Sequence, residues 1–229
     1  MRGTLGILLG IALMPVASTL GAHAEGAAAP IHLATYVEVA PASPKNAIAL
    51  LKQYRDASRG ESGNLRAEVA QELGRPNRFV VLEIWKDQGA LDAHGKSAGT
   101  AAFRDKLKAI QNAPYDERVH NAFNVAANGA LAKRAIVVVS HVDVPPPKKD
   151  DVIAALNPLA DASRKEAGNL RYEVVQQTSR PNHFTVVEAW KDQKSYDAAR
   201  TDSAQRQFRE KLGPMLGALY DERLYRPID

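Results

Sequence analysis

The strongest constraint on this chain is that it repeats itself. The stretch opening at Ser58-Arg59 returns at Ser163-Arg164, an offset of 105 positions (163 − 58). From there to Arg118 and Arg223 the copies align without a gap, and about half of the positions are identical. Gly63-Asn64-Leu65-Arg66 recurs as Gly168-Asn169-Leu170-Arg171, and Arg75-Pro76-Asn77 as Arg180-Pro181-Asn182. Glu83-x-Trp85-Lys86-Asp87-Gln88 recurs as Glu188-x-Trp190-Lys191-Asp192-Gln193, and Tyr115-Asp116-Glu117-Arg118 as Tyr220-Asp221-Glu222-Arg223. The same offset pairs Ile31 with Ile136 and Val39 with Val144, so the whole unit is duplicated. Two units of about 100 residues make a duplicated domain. A solenoid would need several shorter units of roughly 20–50 residues. The expected modules cover 30–127 and 135–229, joined by a short linker at Asn128-Gly129.

Each module reads β-α-β-β-α-β, the split βαβ order of ferredoxin-like folds. In the first copy a strand is expected over 31–39, with Leu33, Val37 and Val39 on one face and Tyr36 and Glu38 on the other. Ser43 and Pro44 suit the start of a helix, as cap and first residue. Ile48, Leu51 and Tyr54 then form an apolar stripe at helical spacing. Strands follow over 65–72 and 78–86, turned by Arg75-Pro76-Asn77. Asp87 can cap a helix broken near Gly95, and 115–124 is the last strand. In the second copy Pro158 falls inside the first helix and is expected to kink or shorten it. In the third strand Val80, Leu82 and Ile84 alternate with Phe79, Val81, Glu83 and Trp85. Both sets are mostly apolar, so both faces are expected to be buried. The helices cover one face, and the second copy is expected to close over the other. The fold class is therefore α+β, with two modules packed face to face in one chain.

Met1-Arg2, an apolar run from Leu5 to Ala17 and Ala22-His23-Ala24 read as a secretory signal peptide over 1–24, cut after Ala24. The run is shorter than the roughly 20 residues of a membrane span. The expectation is export across the inner membrane to the periplasm without a stable membrane anchor. The chain has no cysteine, which excludes disulfides, thiolate catalysis and cysteine-ligated zinc. Net charge is only +4, with no Lys/Arg block to track a phosphate backbone. Nucleic acid is not expected as a partner. His32, His94, His120, His141 and His183 are scattered, with no metal-ligating spacing and no Gly-rich dinucleotide fingerprint. Neither a metal nor another cofactor is expected.

Four features in order are the Ser-Arg-x-Glu-x-Gly-Asn-Leu-Arg opening of the second strand, the Arg-Pro-Asn turn, Glu-x-Trp closing the third strand, and His94 nine residues after Trp85. Together they resemble the antibiotic biosynthesis monooxygenase family, over nearly all of the duplicated region. The resemblance implies a dimeric α+β barrel, here an intramolecular pseudo-dimer, with further oligomerisation left open. It also implies quinol-oxidising chemistry that uses dioxygen without metal or flavin. In such chemistry an electron-rich phenolate supplies the electron, and the protein supplies a base, orientation and desolvation. The chain departs from some members at Val81 and Val186, where they carry asparagine. It also departs at Phe103-Arg104 and Phe208-Arg209, where haem-degrading relatives place a histidine.

Glu83 and Trp85 share a strand face, with Phe79 on the same side, as do Glu188 and Trp190. The resemblance implies that this face lines the pocket. A carboxylate in an apolar cavity has a raised pKa and serves as a base. Catalytic roles are expected for Glu83 or His94 as base and for Trp85 as a stacking surface. Tyr36, Phe79, Trp190, Glu188, His141 and Tyr196 are expected to contact substrate. The competing readings are that Glu83 pairs with Arg66 or Arg118, that Trp85 only fills core, that His94 is a surface histidine, and that Tyr36 and His141 are rim residues. Copy two carries Ala199 in place of His94, which singles out copy one as the active half. The function expected is a cofactor-independent monooxygenase acting on a small aromatic or quinol. The alternative is a periplasmic binding or stress module that holds a hydrophobic small molecule without chemistry.

Overall fold

The structure is a computed structural model that describes residues 29–126 and 131–228. The expected signal peptide and the Asn128-Gly129 linker lie outside the described residues. Copy one contains β1 (Ile31–Glu38), α1 (Pro44–Arg59), β2 (Asn64–Glu72), β3 (Arg78–Trp85), α2 (Gln88–Gly95), α3 (Ala98–Lys108) and β4 (Asp116–Asn124). Copy two repeats the order with β5 (Ile136–Asp143), α4 (Lys149–Ser163), β6 (Asn169–Gln177), β7 (His183–Trp190), α5 (Gln193–Arg200), α6 (Ser203–Leu212) and β8 (Asp221–Pro227). No helix of the described residues is long and apolar enough to cross a membrane.

The shared motifs are the joints of the module. Gly63 and Gly168 open β2 and β6 at φ +95° and +88°, where a Cβ would meet Ala90 Cβ at 2.7 Å and Ser195 Oγ at 2.3 Å. Only glycine takes that backbone without strain and lets the next helix approach so closely. Asp87 and Asp192 follow the strand-closing tryptophans and cap α2 and α5, accepting from the Ala90 and Ser195 amides at 2.7 and 2.9 Å. The break near Gly95 is a new helix start: the Ser97 hydroxyl accepts from the Thr100 amide at 3.1 Å.

Two helix expectations need correction. Ser43 stands at the N-cap of α1 but makes no side-chain cap hydrogen bond; its backbone lies at φ −112°, ψ 14°, outside the extended form of a capping residue. Pro158 stands inside α4 without ending it: the helix runs 15 residues, one fewer than the 16 of α1. Val152, Leu156 and Leu159 of α4 are buried against the sheet, and that burial holds the helix across the lost backbone hydrogen bond.

The second sheet does cover the first, but by curling edge to edge rather than stacking on it. The strands close in the order β1-β3-β2-β8-β5-β7-β6-β4. The copies are stitched by β2 with β8 and by β4 with β6. The register brings the C-terminal ends of β1, β2, β5 and β6 to one mouth of the barrel. The interior is packed with Ala34, Val80, Leu82, Val137, Val139, Val187 and Tyr225. Away from that mouth, two matching bidentate pairs cross the barrel. Arg66 donates to Glu173 at 2.9 and 2.6 Å, and Arg171 donates to Glu68 at 2.6 and 3.0 Å. Each arginine is thus paired with a carboxylate of the other copy. Breaking a buried pair of this kind costs about 3–5 kcal/mol, because it strands its partner's charge.

Candidate functional site

The alternation of β3 turns Phe79, Val81, Glu83 and Trp85 away from the barrel and under the helices. There α1 supplies Tyr54 and Ser58, the turn after it Glu61, α2 His94, and α3 Thr100 and Phe103. The Tyr54 hydroxyl donates to Glu83 Oε2 at 3.2 Å and lies 2.8 Å from His94 Nε2. His94 Nδ1 lies 3.0 Å from Glu61 Oε2. Four side chains therefore form one chain of hydrogen bonds, from a carboxyl that is 1% exposed to one that is 30% exposed. Tyr54 is held by stacking on Phe103, with centroids 4.1 Å apart. His94 is held by stacking on Trp85 at 4.4 Å and by the Thr100 hydroxyl at 3.3 Å.

Burial pushes the Glu83 carboxyl up to about 7, while the Tyr54 and Ser58 hydroxyls pull it down and the Glu117 and Glu61 charges add to the rise. Ser58 is felt electrostatically but lies outside hydrogen-bonding geometry, so Glu83 Oε1 is buried without a formal partner. Neither expected arginine pairs with Glu83, because Arg66 bonds Glu173 and Arg118 bonds Asp116, on the barrel side of the sheet. Burial and the Glu83 charge hold the Tyr54 phenol well above its ordinary range. A cavity of about 230 Å3 lies alongside, lined by Tyr54, Ser58, Glu61, His94, Thr100 and Phe103 among others.

Copy two keeps the frame and loses the chain. Leu159 stands for Tyr54 and Ala199 for His94, both buried. Glu188 is also pushed up to about 7 by burial, but its Oε2 accepts from Trp190 Nε1 at 2.8 Å. Trp85 Nε1, by contrast, is buried without a partner. Tyr196 donates to Glu222 at 2.8 Å, and Arg200 and Arg209 also reach Glu222.

The expected site residues thus fall in three places rather than one. Glu83, Trp85 and His94 meet in copy one, with Phe79 further along the same core. Glu188, Trp190 and Tyr196 lie in copy two. Tyr36 and His141 point into the barrel and bond each other, hydroxyl to Nε2, at 2.9 Å. His141 is kept neutral there, its pKa lowered to about 3 by burial and by the Arg118 charge. His94 is a buried side chain, 3% exposed, not a surface one. Trp85 is fully buried, and its stacking partner is His94, which takes the place expected for a substrate ring. Tyr54, Glu61 and Thr100 were not singled out. The signal for Tyr54 was the swap to Leu159, coupled to the swap of His94 to Ala199.

Two split βαβ modules closed into an eight-stranded barrel, with a polar cluster between sheet and helices, define a dimeric α+β barrel protein written in one chain. The chain belongs to the antibiotic biosynthesis monooxygenase family, whose model matches residues 30–106 and again 135–211. The Bacillus subtilis (strain 168) protein named "Putative monooxygenase YcnE" is 33% identical over 86 residues, covering 38% of this chain and 90% of that protein. An uncharacterised Synechocystis protein, sll1783, is 26% identical over 114 residues, 50% of this chain and 77% of its own length. Among solved structures, one titled a putative monooxygenase from Fusobacterium nucleatum superposes with a TM-score of 0.79 at 18% identity, over 88% of this chain and 94% of that one. An anthrone oxidase-like protein superposes at 0.69 and 13% identity, over 87% and 91%. At these identities the two structures speak for the fold.

Proposed function

We propose that copy one is the catalytic half of an exported monooxygenase that oxidises a single-ring hydroxylated aromatic with dioxygen. The observation that carries this reading is the hydrogen-bonded chain Glu83–Tyr54–His94–Glu61 beside a cavity, present in one copy and erased in the other. About 230 Å3 is below the roughly 300–1,000 Å3 of drug-sized ligands and suits one ring. The substrate hydroxyl gives its proton to the Tyr54 oxygen as Tyr54 passes its own to Glu83, whose pKa near 7 matches the task. The phenolate then donates an electron to dioxygen. For a hydroquinone the balance is hydroquinone plus dioxygen giving hydroxyquinone plus water. Glu61, on the solvent side of His94, is the exit for the proton. The residues at 1–24 support export to the periplasm, which N-terminal sequencing of the protein from its host tests: a mature start at Glu25 is expected.

The binding-module reading has one observation in its favour, since Glu83 and Trp85 are not among the residues lining the cavity. Oxygen uptake with a panel of single-ring hydroquinones decides between them. Uptake above autoxidation that falls in Tyr54→Phe supports catalysis. Binding of the same compounds without uptake leaves a binding module.

A further inference from the structure

A second cavity, of about 550 Å3, lies at the barrel mouth where β1 and β2 end, and shares no lining residue with the cavity beside His94. Its charged walls are mostly neutralised in pairs. Arg78 meets Glu38 at 2.9 Å, Arg118 meets Asp116 at 2.8 Å and Arg223 meets Asp221 at 2.6 Å. The guanidiniums of Arg118 and Arg223 lie 5.0 and 5.2 Å from the Tyr36 ring, and the Tyr36 hydroxyl is committed to His141. Glu72 is the exception. It is 9% exposed, its Oε2 is buried without a hydrogen-bond partner, and its nearest ion-pair contact is a long 3.8 Å to the exposed Arg75. A buried carboxylate oxygen left without a donor is destabilising, more so when charged. It is kept where something else supplies the donor.

The rest of the wall says what kind of donor. Phe79, Pro114, Tyr115 and Tyr225 give the cavity an apolar and aromatic side. Of the charged side chains that line the cavity itself, three are carboxylates, Glu38, Glu72 and Asp116, and two are arginines, Arg78 and Arg223. Copy two builds no equivalent. Gln177 stands for Glu72 and donates to Ser179 at 3.1 Å, while His120 stands for Tyr225. We infer that the barrel mouth is a second ligand site, taking an organic ammonium whose charged end is held by Glu72 and whose apolar body lies along Tyr225 and Pro114. An ammonium provides the missing donor, and aromatic walls favour cations. The inference does not depend on the oxidative reading of copy one.

Calorimetric titration of 2-phenylethylamine into the purified chain tests it, with phenylacetate as the charge-reversed analogue. The amine is expected to bind and phenylacetate not to. Glu72→Gln is expected to weaken the amine by about tenfold or more, equivalent to about 1.4 kcal/mol. Glu83→Gln, on the far face of the sheet, is expected to leave it unchanged. Amide shift mapping on the unmodified chain gives a readout free of folding effects, and the shifts should centre on Glu72, Tyr225 and Asp116. No binding up to roughly 10 mM, tighter binding of phenylacetate, or shifts centred on His94 and Tyr54 would each overturn the proposal.

Discussion

The space between sheet and helices was built twice from nearly the same parts, and the two builds differ where it matters. In copy two Leu159 and Ala199 each join an apolar cluster, and Glu188 is answered by its neighbour Trp190. In copy one Tyr54 and His94 occupy those places, and Glu83 is wired through them to a solvent-facing carboxylate. Features common to both copies, the Gly63 and Gly168 turns, the Asp87 and Asp192 caps and the crossed arginine–glutamate pairs, hold the barrel. The features unique to copy one are those to which the proposed reaction is assigned. Duplication thus separates frame from function inside one molecule.

The sharpest way to break this comparison is to remove one atom from the chain of hydrogen bonds. Tyr54→Phe is expected to lower the rate of oxygen uptake by about 10²–10⁴, the usual worth of positioned acid–base catalysis, while Glu188→Gln leaves it unchanged. Equal losses in the two variants would show that the halves are not specialised. Next come the shared ion pairs. Glu68→Ala removes the bidentate partner of Arg171 inside the barrel and should cost about 3–5 kcal/mol in urea unfolding, with Glu173→Ala costing a similar amount through Arg66. A large difference between those two would mean that the frame is not symmetric.

The third comparison is by pH. Glu83 and Glu188 have folded pKa values of about 7, above the ordinary 4.5, so the unfolded chain ionises first. The stability they contribute is complete below about pH 4.5 and is lost as pH rises through about 7. Each contributes up to about 3 kcal/mol to that slope. The buried His120 and His141, lowered to about 4 and about 3, act in the opposite sense, and their contribution is lost as pH falls below the ordinary 6.5. The quantity to read is therefore each Glu→Gln variant minus the unmodified protein, across pH 4.5–7. Both differences should grow with pH. A flat difference for Glu83 alone would mean that its chain of partners already holds the charge. The smallest effect belongs to the caps. Asp87→Ala and Asp192→Ala should each lower the thermal midpoint slightly, and to a similar extent.

Much of the frame was legible before any coordinates. The 105-residue offset exposed the duplication, strand alternation placed Glu83 beside Trp85, and the Trp-Lys-Asp-Gln motif marked a strand end followed by a helix cap. These are local regularities, set by backbone periodicity and by hydrogen bonds between residues a few positions apart. The candidate site was legible only in part. Tyr54 sat on an apolar stripe and read as core, because periodicity says which face a side chain takes and not what its hydroxyl will meet.

What the tertiary structure alone decided is everything that depends on two distant segments meeting. Barrel closure sent Tyr36 and His141 inward to each other, and away from the site they were expected to share with Glu83. The same closure gave Arg66 its partner on β6, 107 positions away. It also left one carboxylate oxygen of Glu72 at the mouth without a hydrogen-bond donor. Sequence determines alternation along a strand; which alternating faces enclose a common space follows from pairing register and sheet curvature, which only the folded chain sets.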